Sequence, residues 1–384
     1  MSGPIDSLQI GMHWFAERPG GLDRMFVELV ESLPSQGVSV RGLVAGSDAV
    51  ASSSGGHVQS FAAPESRLAP RLWRARTLSS QLKRARRPDV VATHFALYAA
   101  PTAGVFNNVP RVVHFHGPWA DETVPEGGSA WARGARRSVE RFVYRGGTRH
   151  IVLSKAFGDI LHTRYGVRED RIRVVPGCVD IARFDTGVTR TSARAALGLP
   201  HDRRILFCVR RLVWRMGIED LIDAMFLVVQ KAPDVILAIA GRGPLEAALK
   251  ARVAARGLER HVRFAGFVPD AELPLWYAAA DMSVVPTVAL EGFGLTTIES
   301  LACGTPVLVT PVGGLPEAVM PLSPDLVFSS AGFNAIGAGL IEALRGTRTL
   351  PDAAACRAYA RARFDRGVVA SQVAQVYREA IDNF

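Results

Sequence analysis

The sequence is poor in cysteine. Cys178, Cys208, Cys303 and Cys356 are scattered, without the paired spacing of a zinc site or a disulfide framework. No run of about 18 apolar residues occurs, so no segment reads as a membrane-spanning helix. The first apolar stretch, Leu8 to Met12, is too short and too weakly flanked for a secretory leader, and a reducing cytoplasm is the expected compartment. Repeats of roughly 20–50 residues and low-complexity blocks are also missing, which excludes solenoids and arrays.

Acidic residues are missing from one stretch in particular. Arg67, Arg71, Arg74, Arg76, Lys83, Arg84, Arg86 and Arg87 follow one another with no carboxylate among them, interleaved with Leu68, Leu72, Trp73, Leu78 and Leu82. A second run carries Arg133, Arg136, Arg137, Arg141, Arg145 and Arg149 against Glu140, beside Trp131, Phe142 and Tyr144. Both read as basic helices. A solvated arginine face and a surface attracted to anionic lipid both fit them, the second giving a peripheral contact at the inner face of the membrane. Nucleic acid is the other acidic partner that such runs raise, and none is expected here.

What is present is enough for two cores. The chain has 384 residues, 48% hydrophobic and 21% charged, with a net charge of +9. That length exceeds the usual limit of one core. Short β-rich runs alternate with helical stretches: Leu8–Met12, Val38–Val44, Val90–Thr93, Val112–Phe115, Ile151–Ser154 and Ile172–Val175 form one series. Ile205–Val209, Val235–Ala240, Val262–Ala265, Met282–Val285 and Pro306–Val309 form a second. The alternation predicts an α/β protein of two doubly wound, Rossmann-like parallel sheets, joined near Val179–Thr191.

Ligands of such sheets bind beyond the carboxyl ends of the strands, so the residues that follow each strand are the candidates. After the first strand, Gly20 and Gly21 enter a helix and could bring backbone N–H groups to a phosphate, although a tight turn explains them as well. After the fourth run, His114 and His116 lie on one strand face, followed by Gly117, Pro118, Trp119 and Asp121. His116 at the strand end suits a sugar hydroxyl or a proton; metal ligation is not expected, because the sequence places no third ligand beside the pair.

The second series opens into Arg210, Arg211 and Arg215, guanidinium groups able to fork across a diphosphate. Gly241-Arg242-Gly243 resembles the start of a dinucleotide fingerprint, but Glu246 stands at the third glycine and no acid follows the next strand, which argues against NAD. Between Glu291 and Glu299 the chain passes from strand through Gly292-Phe293-Gly294 into an apolar helix. Free N–H groups of Leu295, Thr296 and Thr297, backed by the helix dipole, would face an anion there.

In order and spacing these stations resemble the retaining glycosyltransferases of family 4, with the two-domain GT-B fold. The resemblance rests on Phe264 to Val268, Tyr277 to Asp281, Val285-Pro286, Glu291 to Glu299 and Ala302 to Val307. Gly20-Gly21, His116-Gly117, Val175 to Asp180 and Arg211-Leu212 add to it. It covers nearly the whole chain.

The resemblance implies an acceptor-binding N-terminal domain, 1–180, and a nucleotide-sugar-binding domain, 181–365. A C-terminal helix, 366–384, would pack back on the first. A UDP- or GDP-sugar would be the substrate, with no metal and no cofactor. Glu299 would hold the ribose and Glu291 the donor sugar, with the amides of Phe293, Gly294, Leu295 and Thr296 serving sugar and diphosphate. Arg211 would neutralise the departing diphosphate, with Arg210, Arg215 and Gly241 in the donor set and the backbone near Val268 at the base. Gly21 would approach the diphosphate from the other domain, His116 would contact the transferred sugar, and Trp119 and Asp121 would face the acceptor.

The acceptor would be a glycan, a glycolipid or a small molecule. No nucleophile stands out for a two-carboxylate route, so front-face substitution is expected. Met216 departs from the family, which usually has lysine in that slot; methionine cannot pair with phosphate, and Arg210 or Arg215 would supply the charge. A nucleotide-sugar-binding protein without turnover and a GT-B epimerase are the alternatives.

Overall fold

The computed structural model describes residues 3–122 and 129–384. Two compact units result, one made of the described residues up to Cys178 together with Arg366–Phe384, the other of Val179–Asp365.

The first unit is built on a parallel seven-stranded sheet of β1 (Ile5–His13), β2 (Val38–Ala45), β3 (Val58–Ala62), β4 (Val90–Thr93), β5 (Arg111–Phe115), β6 (Arg149–Val152) and β7 (Ile172–Val174). Their spatial order is β3-β2-β1-β4-β5-β6-β7, so strand order reverses between β1 and β4. Near-continuous apolar strands such as β4, buried at all four residues, need cover on both faces, and helices supply it. Helix starts follow the sequence: Ser154 accepts from the Phe157 amide to open the helix Lys155–Tyr165. The last helix, Arg366–Asp382, buries Val369, Ala370, Val373, Ala374, Val376, Tyr377 and Ala380 within this unit.

The second unit repeats the plan with β8 (Arg204–Val209), β9 (Val235–Ala240), β10 (Val262–Gly266), β11 (Met282–Val285) and β12 (Val307–Val309), in the order β10-β9-β8-β11-β12. All six residues of β9 are buried. Here the order reverses between β8 and β11. The loops leaving those two neighbouring strands carry Arg210–Arg215 and Glu291–Gly294, the latter opening directly into the helix Leu295–Ala302.

Both expected strand series are therefore present, and β3 is an addition. Val58-Gln59-Ser60-Phe61-Ala62 is short, half polar and at the sheet edge, where one side needs no apolar cover.

The first basic run lies on the helix Leu68–Ala85 and its flanks, Arg67, Arg86 and Arg87, and the second on the helix Ala130–Arg145, except that Arg149 opens β6 and is not helical. Several of the cations are structural. Arg71 donates to the Pro64 carbonyl, Arg76 to Pro101 O at 2.7 Å, Lys83 to Val105 O at 2.6 Å and Arg87 to Asn108 O at 2.6 Å.

Candidate functional site

In the second unit the loop after β8 is locked to its neighbours by backbone contact. Gly241, at φ +132°, has no room for a side chain, since a Cβ there would fall 1.8 Å from the Arg210 carbonyl oxygen. The β9 loop thus supports the β8 loop directly. Arg210 then reaches the β11 loop, where its Nη2 lies 2.8 Å from Glu291 Oε2 and 3.0 Å from Thr287 Oγ1. Both side chains of the pair are about nine-tenths buried, at 8% and 12% exposure. Arg215 Nη1 donates to the Leu290 carbonyl at 3.1 Å. Leu290 sits at φ +52°, a conformation that a branched side chain seldom adopts, so Arg215 braces a strained turn.

Two of the three arginines are thereby committed. Arg211 is different: exposed, its guanidinium makes no ion pair or hydrogen bond among the described residues. Met216 is not at the site at all. It is 5% exposed and packs in the core with Leu212, Ile218, Leu221 and Met225.

Gly294 precedes the helix Leu295–Ala302 at φ +80°, where a Cβ would meet Leu315 Cδ2 at 2.5 Å. The turn is tighter than the sequence suggests, because the Thr297 amide donates back to Gly294 O at 2.8 Å. That removes Thr297 from the expected anion cradle and leaves the amides of Leu295 and Thr296 as the leading donors. The hydroxyls of Thr296 and Thr297 are buried without a protein partner. Phe293 offers only its backbone, since its ring is 3% exposed and packs edge-on against Phe364 at 5.4 Å.

Glu299, one turn into the same helix, is 3% exposed. Its Oε2 accepts from the Tyr277 hydroxyl at 3.1 Å, and that hydroxyl is also 3.2 Å from Thr296 O. Tyr277 is a partner that sequence reading missed; its signal was an aromatic followed by Ala-Ala-Ala-Asp just before β11. Val268 lies 8% exposed in the loop after β10, beside the exposed Phe267, over whose ring Arg242 stands at 5.8 Å.

In the first unit the reversal point brings together the ends of β1, β4 and β5. Gly20 caps the helix Gly21–Ser32, and a Cβ on it would come within 2.8 Å of Asp23 Oδ2. Asp23 turns back to accept from the His13 amide at 2.9 Å, and burial raises its carboxyl to about 6. A carboxylate from within the helix thus already sits at the helix start that the sequence offers to phosphate. His13 itself is lowered to about 4, by burial first and then by Arg18.

His116 at the end of β5 is joined by a residue that the sequence did not pair with it. His94, directly after β4, lies with Nδ1 3.2 Å from His116 Nε2. His114 stacks on His94 with ring centroids 4.1 Å apart and planes 18° apart. Burial lowers His116 to about 4 and holds His94 and His114 well below the ordinary histidine range. One ring nitrogen from each of the three lies within 4.8 Å of the others, so folding supplies a third histidine. The geometry is nevertheless that of a hydrogen-bonded stack. Imidazole lone pairs lie in the ring plane, so His94 and His114, stacked face to face, do not aim theirs at one point, and the facing nitrogens of His94 and His116 are already partners.

Trp119 and Asp121 occupy the short helix after β5. Trp119 is flanked by the Phe95 ring at 5.2 Å and the Arg136 guanidinium at 5.1 Å. Asp121 is held between Arg137 at 2.6 Å and Arg164 at 2.9 Å. Beneath them the fully buried Glu140 accepts from the Tyr165 hydroxyl at 2.8 Å, and burial raises its carboxyl to about 7.

Comparison with known proteins decides the family. A glycogen synthase of Mycobacterium tuberculosis is 31% identical over 305 residues, covering 77% of this chain and 69% of that protein. The model for "Glycosyl transferases group 1" matches residues 189–363, and that for "Glycosyltransferase Family 4" matches 19–183. The chain belongs to the family 4 glycosyltransferases. A relative from this family, the D-inositol 3-phosphate glycosyltransferase of Jonesia denitrificans, is 37% identical over 172 residues. That match covers 41% of this chain and 40% of the relative, so it spans less than half the length of that protein. Among solved structures, HepE of Anabaena in complex with UDP-glucose superposes with a TM-score of 0.75 at 21% identity, over 98% of this chain and all of that one. At that identity the likeness shows a shared fold, the GT-B glycosyltransferase fold.

Proposed function

We propose that the protein transfers a hexose-type sugar from a UDP- or GDP-sugar to a hydroxyl acceptor, with retention of configuration. The observation that carries this reading is the β8 loop, which keeps Arg211 uncommitted while Arg210 and Arg215 tie that loop to the one leading into the Leu295–Ala302 helix. Cleavage of an anomeric bond builds negative charge on the diphosphate, and a free guanidinium with helix N-terminal amides is suited to stabilise it. Glu299 takes the ribose and Glu291 the sugar; the base lies by the backbone at Val268. The first unit supplies His116 to the sugar and takes the acceptor, a glycan, glycolipid or small molecule.

Glu291 is held by Arg210 and Thr287, a poor state for a nucleophile. The step is therefore a front-face substitution: the bond from the anomeric carbon to phosphate breaks, the acceptor oxygen bonds to that carbon on the same face, and its proton passes to the departing phosphate oxygen. HepE, captured with UDP-glucose, is consistent with a donor of this class.

The test is a screen of UDP- and GDP-hexoses by thermal shift, donor hydrolysis and product anomer. Glu299→Ala is expected to weaken the stabilising donor about 10–100-fold, the worth of hydrogen bonds to a charged group. Stabilisation without turnover on any acceptor would make the protein a binding module, and a changed nucleotide sugar without acceptor an epimerase.

No helix among the described residues is long and apolar enough to cross a membrane. One face of the helix Ala130–Arg145 supports a peripheral role: Trp131 and Phe142, three turns apart, are 83% and 60% exposed, with Arg141 and Arg145 exposed beside Phe142. Aromatic rings next to cations fit an anionic lipid surface. Co-sedimentation with phosphatidylglycerol vesicles is expected, weakening in salt and lost in Trp131→Ala/Phe142→Ala; equal binding by that double variant refutes the contact.

A further inference from the structure

His116 ends a chain of hydrogen bonds whose directions can be read one from the next, beginning at a backbone carbonyl. The Ser7 hydroxyl is 3.0 Å from Ser39 O, which can only accept, so Ser7 donates there and keeps its lone pairs for Gln9. Gln9 therefore turns Nε2 toward Ser7, at 3.1 Å, and its Oε1 faces His94 Nε2 at 3.0 Å. An amide oxygen only accepts, so the proton of His94 is on Nε2. Burial, and then the neighbouring His114 and His116, keep His94 neutral, so its Nδ1 is a bare acceptor. His116 Nε2, 3.2 Å away, must donate to it. His116 is itself neutral near pH 7, which leaves its one lone pair on Nδ1.

The amide that starts this sequence is clamped twice. The Tyr377 hydroxyl, from the C-terminal helix, lies 3.1 Å from Gln9 Nε2 and 3.2 Å from Gln9 Oε1, and 3.0 Å from His114 Nε2. Ser7, Gln9, His94 and Tyr377 are all buried. None of these four residues belongs to the site read from the sequence.

We propose that Ser7, Gln9 and His94 are positioning residues that lock His116 in its Nε2–H tautomer, so that its Nδ1 accepts a hydrogen bond and selects a substrate carrying a hydroxyl at that point. The identity of the partner as a sugar hydroxyl rests on the glycosyl-transfer reading, while the tautomer does not. A hydroxyl satisfies a bare imidazole nitrogen. Fluorine in its place sets lone pair against lone pair, and a site built to pair with a hydroxyl rejects such an analogue by at least about tenfold.

Nitrogen-15 NMR of the imidazoles at neutral pH tests the chain on the wild-type protein, with His116→Gln used only to assign the resonance. The expected spectrum has His116 Nε2 protonated and Nδ1 bare; a proton on Nδ1, or an imidazolium, overturns the proposal. Gln9→Met removes the acceptor that orients His94, and in the folded variant His116 is expected to become a mixture of tautomers. With the preferred donor, kcat/KM should fall about tenfold, and discrimination against the fluoro analogue should narrow. An unchanged His116 tautomer in that variant also overturns the chain, and if Gln9→Met does not fold, the wild-type spectrum decides. A locked tautomer in a protein that transfers no sugar would support the chain and refute the glycosyl-transfer reading, which separates the two failures.

Discussion

Arg210→Met is expected to lower the melting temperature of the second unit by about 6–12 °C, the equivalent of about 3 kcal/mol for a unit of this size. The mutation does not merely delete an attraction. It leaves the Glu291 carboxylate, only 12% exposed, with the Thr287 hydroxyl at 3.4 Å as its side-chain partner among the described residues. A buried charge stripped of its partner costs more than the pair was worth, since the desolvation penalty is no longer offset. The double variant Arg210→Met/Glu291→Gln should therefore recover most of the lost stability while transferring no sugar, because an amide at 291 restores neutrality but not the carboxylate proposed to hold the sugar. Calorimetry and turnover of the two variants separate these roles. A single variant as stable as wild type would show that the ion pair is not structural, and a double variant with wild-type kcat would sink the assignment of Glu291.

This pair shows where the sequence is legible and where it stops. Glu291, Glu299 and Arg211 could be singled out because each follows a recognisable strand, and strand ends are where doubly wound sheets bind. What the spacing does not contain is the direction of each side chain. Arg210 and Arg211 are adjacent in sequence, yet the first is buried against Glu291 and the second is exposed and uncommitted. Met216 reads as a charge missing from a phosphate site, but the turn Trp214–Met216 and Gly217 at φ +69° carry its side chain into the core.

His94 was invisible for a different reason. It stands 22 residues from His116, and only the pairing of β4 with β5 makes them neighbours. Asp23 could be read as one acid in a helix's first turn, but its return to the His13 amide depends on the backbone of Gly20 leaving room. The basic helices behave alike: the arginines can be counted in the sequence, whereas which of them are spent on carbonyls is settled by packing.

Arg211→Ala should reduce kcat by about 10²–10³-fold, equivalent to about 2.7–4 kcal/mol of transition-state stabilisation, with a smaller change in KM. The diphosphate gains charge as the anomeric bond lengthens, so a cation aimed at it is worth more in the transition state than in the bound donor. Arg211 is the arginine of the β8 loop free to play that part, since Arg210 is held by Glu291 and Arg215 by the Leu290 carbonyl. Its exposure also predicts that the substitution leaves the melting temperature nearly unchanged, in contrast to Arg210→Met. Arg211→Lys should restore part of the rate, because the charge returns without the two-pronged grip of a guanidinium on two phosphate oxygens. Arg215→Ala provides the comparison: it frees the strained turn at Leu290, so its main effect should fall on stability and donor KM. Steady-state kinetics of the three variants with one donor and one acceptor distinguish these outcomes, and a wild-type kcat in Arg211→Ala would remove Arg211 from the chemistry and return the question of the diphosphate's counter-charge to Arg215.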